Sequence, residues 1–441
     1  MDPREAIERQ PMSRLQIVVV ALCIALNAVD GFDVLAISFA APGIAAEWNI
    51  DRATLGVVLS MELLGMAAGS VLIGNLADRI GRRPVILGCL VVMAAGMFLA
   101  AWADGVATLS ATRLVTGLGI GGMLSSTSAM VAEFSNGRRR SLNVVLNIAG
   151  YSAGAIVGGA IASALLARTG EWRSVFLVGA AATTALLPLA LLFLPESIDS
   201  QIARRPPGAL DKVNRTLRRL RLPPVERLPA AATQAQRPSI LALFSSGHAA
   251  PTVLLTVAYF AQIMAFYFIQ KWTPKVIVDM GFEAASAGRV LVCANIGCLL
   301  GALAVGLASQ RFRLQPLVVG AMVLSFVAIA GYGLVPRELA WLAVVAGLAG
   351  FFTNAGVVGM YPVLVRVFPA PLRASGTGFV IGVGRGGSAL GPMLAGALFA
   401  GGSALLVVSA TMGAGALVAA SMLLALQRQR PRDGAVPDPS A

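Results

Sequence analysis

The sequence predicts an all-α membrane protein of 12 transmembrane helices arranged as two pseudo-symmetric six-helix bundles. Three observations carry that reading. Of the 441 residues, 57% are hydrophobic and 12% charged, whereas charged residues approach a quarter of a soluble domain. The apolar residues fall into long runs parted by short charged clusters, and a bilayer-spanning helix needs about 20 such residues. Finally, the two halves of the chain repeat. Gly74 to Pro84 aligns with Gly306 to Pro316 at an offset of 232, and Gly154 and Gly158 map onto Gly387 and Gly391 at 233. A parallel repeat on either side of one linker implies two bundles with a cavity between them. A β-barrel is excluded, because its spans would be short alternating segments.

Residues 1–14 are polar and of mixed charge. They lack the apolar core and cleavage site of a signal peptide and read as a cytoplasmic tail. The first bundle covers 15–194, with spans at 15–45, 54–77, 84–103, 106–130, 141–167 and 173–194. Residues 195–247 form a hydrophilic linker carrying nine basic side chains between Arg204 and Arg237. Part of it, 209–222, has the pattern of a basic amphipathic helix on the inner membrane surface. The second bundle covers 248–427, with spans at 250–270, 286–308, 315–335, 340–366, 375–399 and 403–426, and 428–441 is a second tail.

The net charge of +13 does not point to a nucleic-acid partner, because of where the charges sit. With both termini inside, the tails and the even-numbered connections hold 25 of the 34 Lys and Arg. That bias places both termini in the cytoplasm of a cell membrane. All four cysteines (Cys23, Cys89, Cys293, Cys298) fall in apolar segments. They show no metal-ligand or disulfide spacing and read as small packing residues.

The chemistry begins in the first span, where Asn27 is followed by Asp30 and Asp33. An ionised Asp at the middle of a membrane helix costs at least ~2.5–3.5 kcal/mol, so two imply a use. Their i, i+3 spacing puts both on one face. The alternative is that one acid pairs with a buried Arg or a backbone group. Span two adds Glu62, a second proton site or a partner for Arg113 in span four. An intramembrane Arg must find a carboxylate or carbonyl, and Asp30, Asp33 and Glu62 are the candidates.

Between spans two and three runs Gly74-Asn-Leu-Ala-Asp78-Arg79-Ile-Gly81-Arg82-Arg83-Pro84. Gly74 permits close helix contact and Gly81 a tight turn. Asp78 can bond to a helix N-terminus or to an Arg across the bundle. This loop matches the signature loop of the major facilitator superfamily, and the resemblance implies a conformational latch. Arg113-Leu-Val-Thr-Gly117-Leu-Gly119-Ile-Gly121-Gly122 resembles the fourth-helix motif of that superfamily, whose arginine is linked to proton coupling. Pro195-Glu196-Ser197 matches an exit motif of the sixth span. The Asp30/Asp33 pair, Gly382-Val-Gly384-Arg385-Gly386, and Glu133 followed by Arg138 narrow the likeness to the aromatic acid:H+ symporters. The resemblance runs from Pro11 to about Ala425. It implies import of benzoate-type anions by alternating access, with Asp30, Asp33, Asp78, Glu133 and Arg385 critical for transport.

Two departures stand out. Gln310 replaces the usual second-half loop Asp, so a weaker second latch is expected. Ala155 stands where exporters of the superfamily often carry Pro, which leans toward uptake.

On this reading Arg385 holds the substrate carboxylate. Asp33 takes up a proton, since burial disfavours a bare carboxylate, and Asp30, Glu62 and Arg113 complete the coupling. Tyr259, Phe260, Phe266 and Tyr267 are candidate ring contacts, with packing or an interfacial belt as the alternative. Asn27, Asn147, Gln262, Asn295, Asn354 and Tyr361 are candidate cavity polar groups; helix–helix hydrogen bonding is their alternative. The latch would comprise Gly74, Asp78, Arg79, Gly81, Arg82, Glu133 and Arg138. The expected partners are a small organic acid, protons and the bilayer. The chain is expected to act as a monomer, without metal or cofactor, driven by the proton gradient. Two other readings remain: the same fold with another organic acid, sugar acid or exported drug as cargo, and a membrane sensor of aromatic acids. An enzyme lacks support, because the single His leaves no metal cluster and no nucleophile–base pair is visible.

Overall fold

The computed structural model describes residues 2–229, 240–245, 247–369 and 372–429. A short α1 (Pro3–Arg9) leads into α2 (Arg14–Trp48), whose start is fixed by a capping box between Ser13 and Gln16. Next come α3 (Arg52–Ile80), α4 (Arg82–Ala101), α5 (Val106–Phe134), α6 (Arg140–Thr169) and α7 (Arg173–Phe193). The linker holds α8 (Ile198–Arg204) and α9 (Ala209–Arg219), and a 3-10 turn at Ile240–Phe244 precedes the second half. That half comprises α10 (Ala249–Asp279), α11 (Ala284–Ala308), α12 (Leu314–Tyr332), α13 (Leu339–Val367), α14 (Arg373–Gly384), α15 (Gly386–Ala400) and α16 (Leu405–Gln429).

Eleven of these helices are, among the described residues, long and apolar enough to cross a membrane. The twelfth crossing is shared by α14 and α15. The span expected as one helix over 375–399 is interrupted at Arg385. Gly384, Gly386 and Gly387 surround the interruption, and glycine is a poor helix former. The same glycines let α10 press close, since a side chain at Gly387 would strike the Phe260 backbone. In the linker, α9 buries Val213 and Leu217 in the apolar cluster of the first half, so that part of its apolar side packs on protein.

Helices α2–α7 pack mainly on one another, as do α10–α16. The halves meet chiefly along two pairs, α3 with α15 and α6 with α11, with a smaller contact between α2 and α10. These pairs exchange under the internal repeat, as a pseudo-two-fold requires. Small residues set the closest approach within the first half. A side chain at Gly117 of α5 would collide with the Glu62 carbonyl of α3, and one at Gly65 with the Leu114 carbonyl. Gly117→Val is therefore expected to split the α3–α5 pair. Size-exclusion chromatography in detergent should show loss of the monodisperse protein, while Ser128→Ala on the same helix should not.

At the end away from the linker, the halves are shut. Ser60 Oγ donates to the Ala389 carbonyl at 2.6 Å, Trp272 Nε1 donates to the Pro392 carbonyl at 3.1 Å, and Arg52 pairs with Asp279 at 2.9 Å. At the linker end α14 barely touches α3, and a cavity of ≈ 850 Å³ lies between them. The halves are thus in contact at one end and parted by a cavity at the other.

Candidate functional site

Four helices bring charged groups into the closed interior. From α2 come Asp30 and Asp33, from α3 Glu62, from α5 Arg113 and from α10 Lys271; each is 0% exposed. Arg113 donates to Asp33 Oδ1 at 2.9 Å and to the Asp33 carbonyl at 3.0 Å, and it pairs with Glu62 as well. Its guanidinium lies over the Phe176 ring, 5.4 Å from the centroid. Lys271 reaches across from the second half to Glu62 Oε2 at 3.3 Å and to the Val34 carbonyl. Two carboxylates and two cations thus share one dry network, which is tolerable in lipid only because each has a partner. Asp30 stands apart from it, with both carboxyl oxygens lacking a hydrogen bond, as does Asp33 Oδ2. Of the three acids offered as partners for Arg113, the structure pairs it with Asp33 and Glu62 and leaves Asp30 out.

Lys271 is the residue that sequence reasoning missed. Ending the seventh span at residue 270 put Lys271 among the outer-side charges. The structure carries α10 on to Asp279. The signal was present, because Trp272 and then Val276, Ile277 and Val278 continue the apolar run past the charge.

Arg385 lies at the break between α14 and α15 and lines the open cavity with Gly74, Asn75, Asp78 and Arg373. Its guanidinium has no ion pair among the described residues, and the phenols of Tyr259, Tyr361, Tyr267 and Tyr151 surround it electrostatically. The Tyr259 and Tyr361 hydroxyls are 3.3 Å apart and their rings stack edge to face. Tyr267 stacks edge to face on Phe266. A half-buried guanidinium without an ion pair offers two hydrogen bonds to a carboxylate, with four tyrosines within electrostatic range of it. Asp33 and Arg385, expected to act together, sit in different surroundings: Asp33 in the closed network, Arg385 on the open cavity.

Four amides that are candidates for the cavity make helix–helix bonds. Asn27 donates to the Asn147 carbonyl at 2.5 Å, Gln262 to the Thr353 carbonyl at 3.0 Å and Asn354 to the Cys298 carbonyl at 2.7 Å. Asn295 likewise bonds Gln270 at 3.2 Å.

The residues expected to form the latch lie at the linker end. Arg82 Nε donates to Glu133 Oε1 at 2.8 Å, and Ser197 donates to the other oxygen. Glu196 Oε1 accepts from the backbone N–H groups of Arg82, Arg83 and Ser197 at 2.9–3.3 Å. A carboxylate therefore caps the start of α4, as the helix dipole favours. It is Glu196 that does so, while Asp78 faces the cavity. Gly81 makes the turn with φ +109°, a conformation closed to most side chains. Arg79 and Arg138 point outward and are exposed. Among the described residues no group of three or more His, Cys, Asp or Glu could hold a metal ion.

Comparison with known proteins gives this geometry a context. The sequence model of the Major Facilitator Superfamily matches residues 23–336 and 255–440. The chain is 30% identical over 396 residues to the 4-hydroxybenzoate transporter PcaK of Pseudomonas putida, covering 89% of this chain and 88% of that one. To the gallate transporter of the same species it is 29% identical, covering 96% and 95%. To the 3-(3-hydroxy-phenyl)propionate transporter of Escherichia coli (strain K12) it is 28% identical, covering 95% and 96%. Among solved structures, the partially occluded inward open conformation of the xylose transporter XylE from E. coli matches at TM-score 0.71. It has 18% identity and covers 94% of this chain and 98% of that one. Identity that low speaks for the fold alone.

Proposed function

Because the chain belongs to the Major Facilitator Superfamily, we propose that it is a proton-coupled symporter importing an aromatic monocarboxylate. It is a multi-pass membrane transporter rather than an enzyme, and its relatives are aromatic acid transporters. The observation that carries the finer reading is Arg385, a guanidinium on the inter-bundle cavity that makes no ion pair among the described residues and has four tyrosines within electrostatic range. A carboxylate would satisfy the guanidinium bidentately, and the rings would take the aromatic body. Proton coupling is assigned to Asp33, Glu62 and Arg113, with Asp30 as an acid one helical turn away. Proton binding lowers the charge of the first-half cluster and biases which end of the cavity opens. The basic clusters would face the cytoplasm of a bacterial inner membrane. The cavity, which opens at the linker end, would then discharge inward.

Uptake of labelled 4-hydroxybenzoate into proteoliposomes tests this. An inward pH gradient should drive accumulation that collapses with a protonophore and declines as the outer medium is made alkaline, because the external proton is a co-substrate. A pH unit of gradient is worth about 1.4 kcal/mol, or about tenfold accumulation at one proton per substrate. Uptake that stops at equilibration, whatever the gradient, would mean facilitated diffusion. Accumulation under the opposite gradient would mean export.

A further inference from the structure

We infer that Lys271 is a tethered cation that takes the proton's place when the far end of the transporter closes, and so drives proton release. The inference rests on the proton-symport reading above. Lys271 belongs to the second half, yet its charged partner Glu62 and its carbonyl partner Val34 both belong to the first. Within the first half, Asp33, Glu62 and Arg113 leave one negative charge in excess. Lys271 brings the sum to zero. The contact crosses between the halves at the end held shut by the Ser60–Ala389 and Trp272–Pro392 bonds.

Lys271 can therefore reach Glu62 only while that end is closed. When it opens, the ammonium withdraws with α10, and the first half keeps an uncompensated charge in a dry interior. Such a charge costs several kcal/mol unless it is neutralised. A proton bound to the Asp33–Glu62 pair neutralises it. Proton and Lys271 are thus alternative counter-charges for one site.

The surrounding elements supply no other. Asp30 on α2 adds a further acid, Tyr151 on α6 and Tyr267 on α10 are neutral phenols within electrostatic range, and Met97 and Phe176 cover Arg113. Arg385 has the phenols as its surroundings rather than the network. The cycle then follows from charge. With the far end open, the acid pair binds one proton. Closure presents Lys271 to a cluster already neutral, the proton leaves the carboxyl group towards the linker-side solvent, and the ammonium pairs with the carboxylate left behind. Lys271 keeps its own protons throughout. One proton is released per closure.

Wild type, Lys271→Met, Lys271→Arg and the double variant Lys271→Met/Glu62→Gln, each in proteoliposomes, test this with labelled 4-hydroxybenzoate. Two readouts are compared: accumulation under an inward pH gradient, and exchange against unlabelled substrate at equal pH. Lys271→Met should lose accumulation at least ~tenfold, the worth of one pH unit of gradient. Its exchange should fall much less, because exchange needs no proton release. Lys271→Arg, which keeps the charge, should recover most of the accumulation. In the double variant the cluster is neutral in both states, so downhill uptake should return with little dependence on pH.

Three results would overturn the inference: accumulation by Lys271→Met at the wild-type level, a double variant as pH-dependent as wild type, or equal loss of exchange and accumulation in both. Failure of both the single and the double variant to fold would make Lys271 a structural residue. Wild type that does not accumulate at all would instead sink the symport reading, and the two failures are distinct.

Discussion

Asp33→Asn is expected to abolish accumulation of aromatic acid down a proton gradient while exchange of labelled for unlabelled substrate remains measurable. Asn is nearly isosteric with Asp, and its Oδ1 can still accept the 2.9 Å bond from Arg113. The Arg113 guanidinium also donates to the Asp33 backbone carbonyl at 3.0 Å, a bond that the substitution leaves in place. What disappears is the charge and the capacity to bind a proton. The accumulation ratio should fall to about one, because only coupling to the proton can lift a substrate above equilibrium. Glu62 still pairs with Arg113 and Lys271, so the fold should survive. A variant that concentrates substrate with full pH dependence would move the coupling to Glu62 or to Asp30. The same assay on Asp30→Asn would then choose between them.

Arg385→Ala should raise the KM for the aromatic acid by ~10–100-fold, since a hydrogen bond to a charged group is worth about 1.5–3 kcal/mol. Arg385→Lys should recover only part of that. Lysine keeps the charge but offers a point donor in place of a planar fork. No ion pair holds Arg385 among the described residues, so its removal leaves no buried partner stranded. The variants should reach the membrane in normal amounts. Binding measured by scintillation proximity would separate a lost substrate contact from a slowed conformational step. Wild-type affinity in Arg385→Ala would assign the carboxylate to Arg373, the other guanidinium on the same cavity.

Much of the fold was legible because it is written in local physics. A charge in lipid is expensive, so apolar runs mark spans and basic clusters mark their ends. Where a charge is buried on purpose, the same rule misleads. Lys271 ended the seventh span early for that reason, although α10 continues eight residues further. The eleventh span misled in another way, since hydropathy cannot register that Gly384 and Gly386 allow the helix to break around Arg385. Amides posed a third difficulty. A buried Asn must bond to something, but Asn27, Gln262 and Asn354 found carbonyls on neighbouring helices. Nothing in their own segments distinguishes that from facing a substrate.

By itself, then, the sequence determined the number and order of the spans, the two-fold repeat, the acids of α2 and the basic loop before α4. Each is a property of one segment or of two aligned ones. The tertiary structure alone decided which charges neutralise which. Arg113 meets Asp33 across 80 residues, and Lys271 meets Val34 across 237. Such pairings depend on where packed helices bring their faces together. That placement is set by close contacts such as Gly117 on Glu62, whose geometry no single stretch of the chain contains.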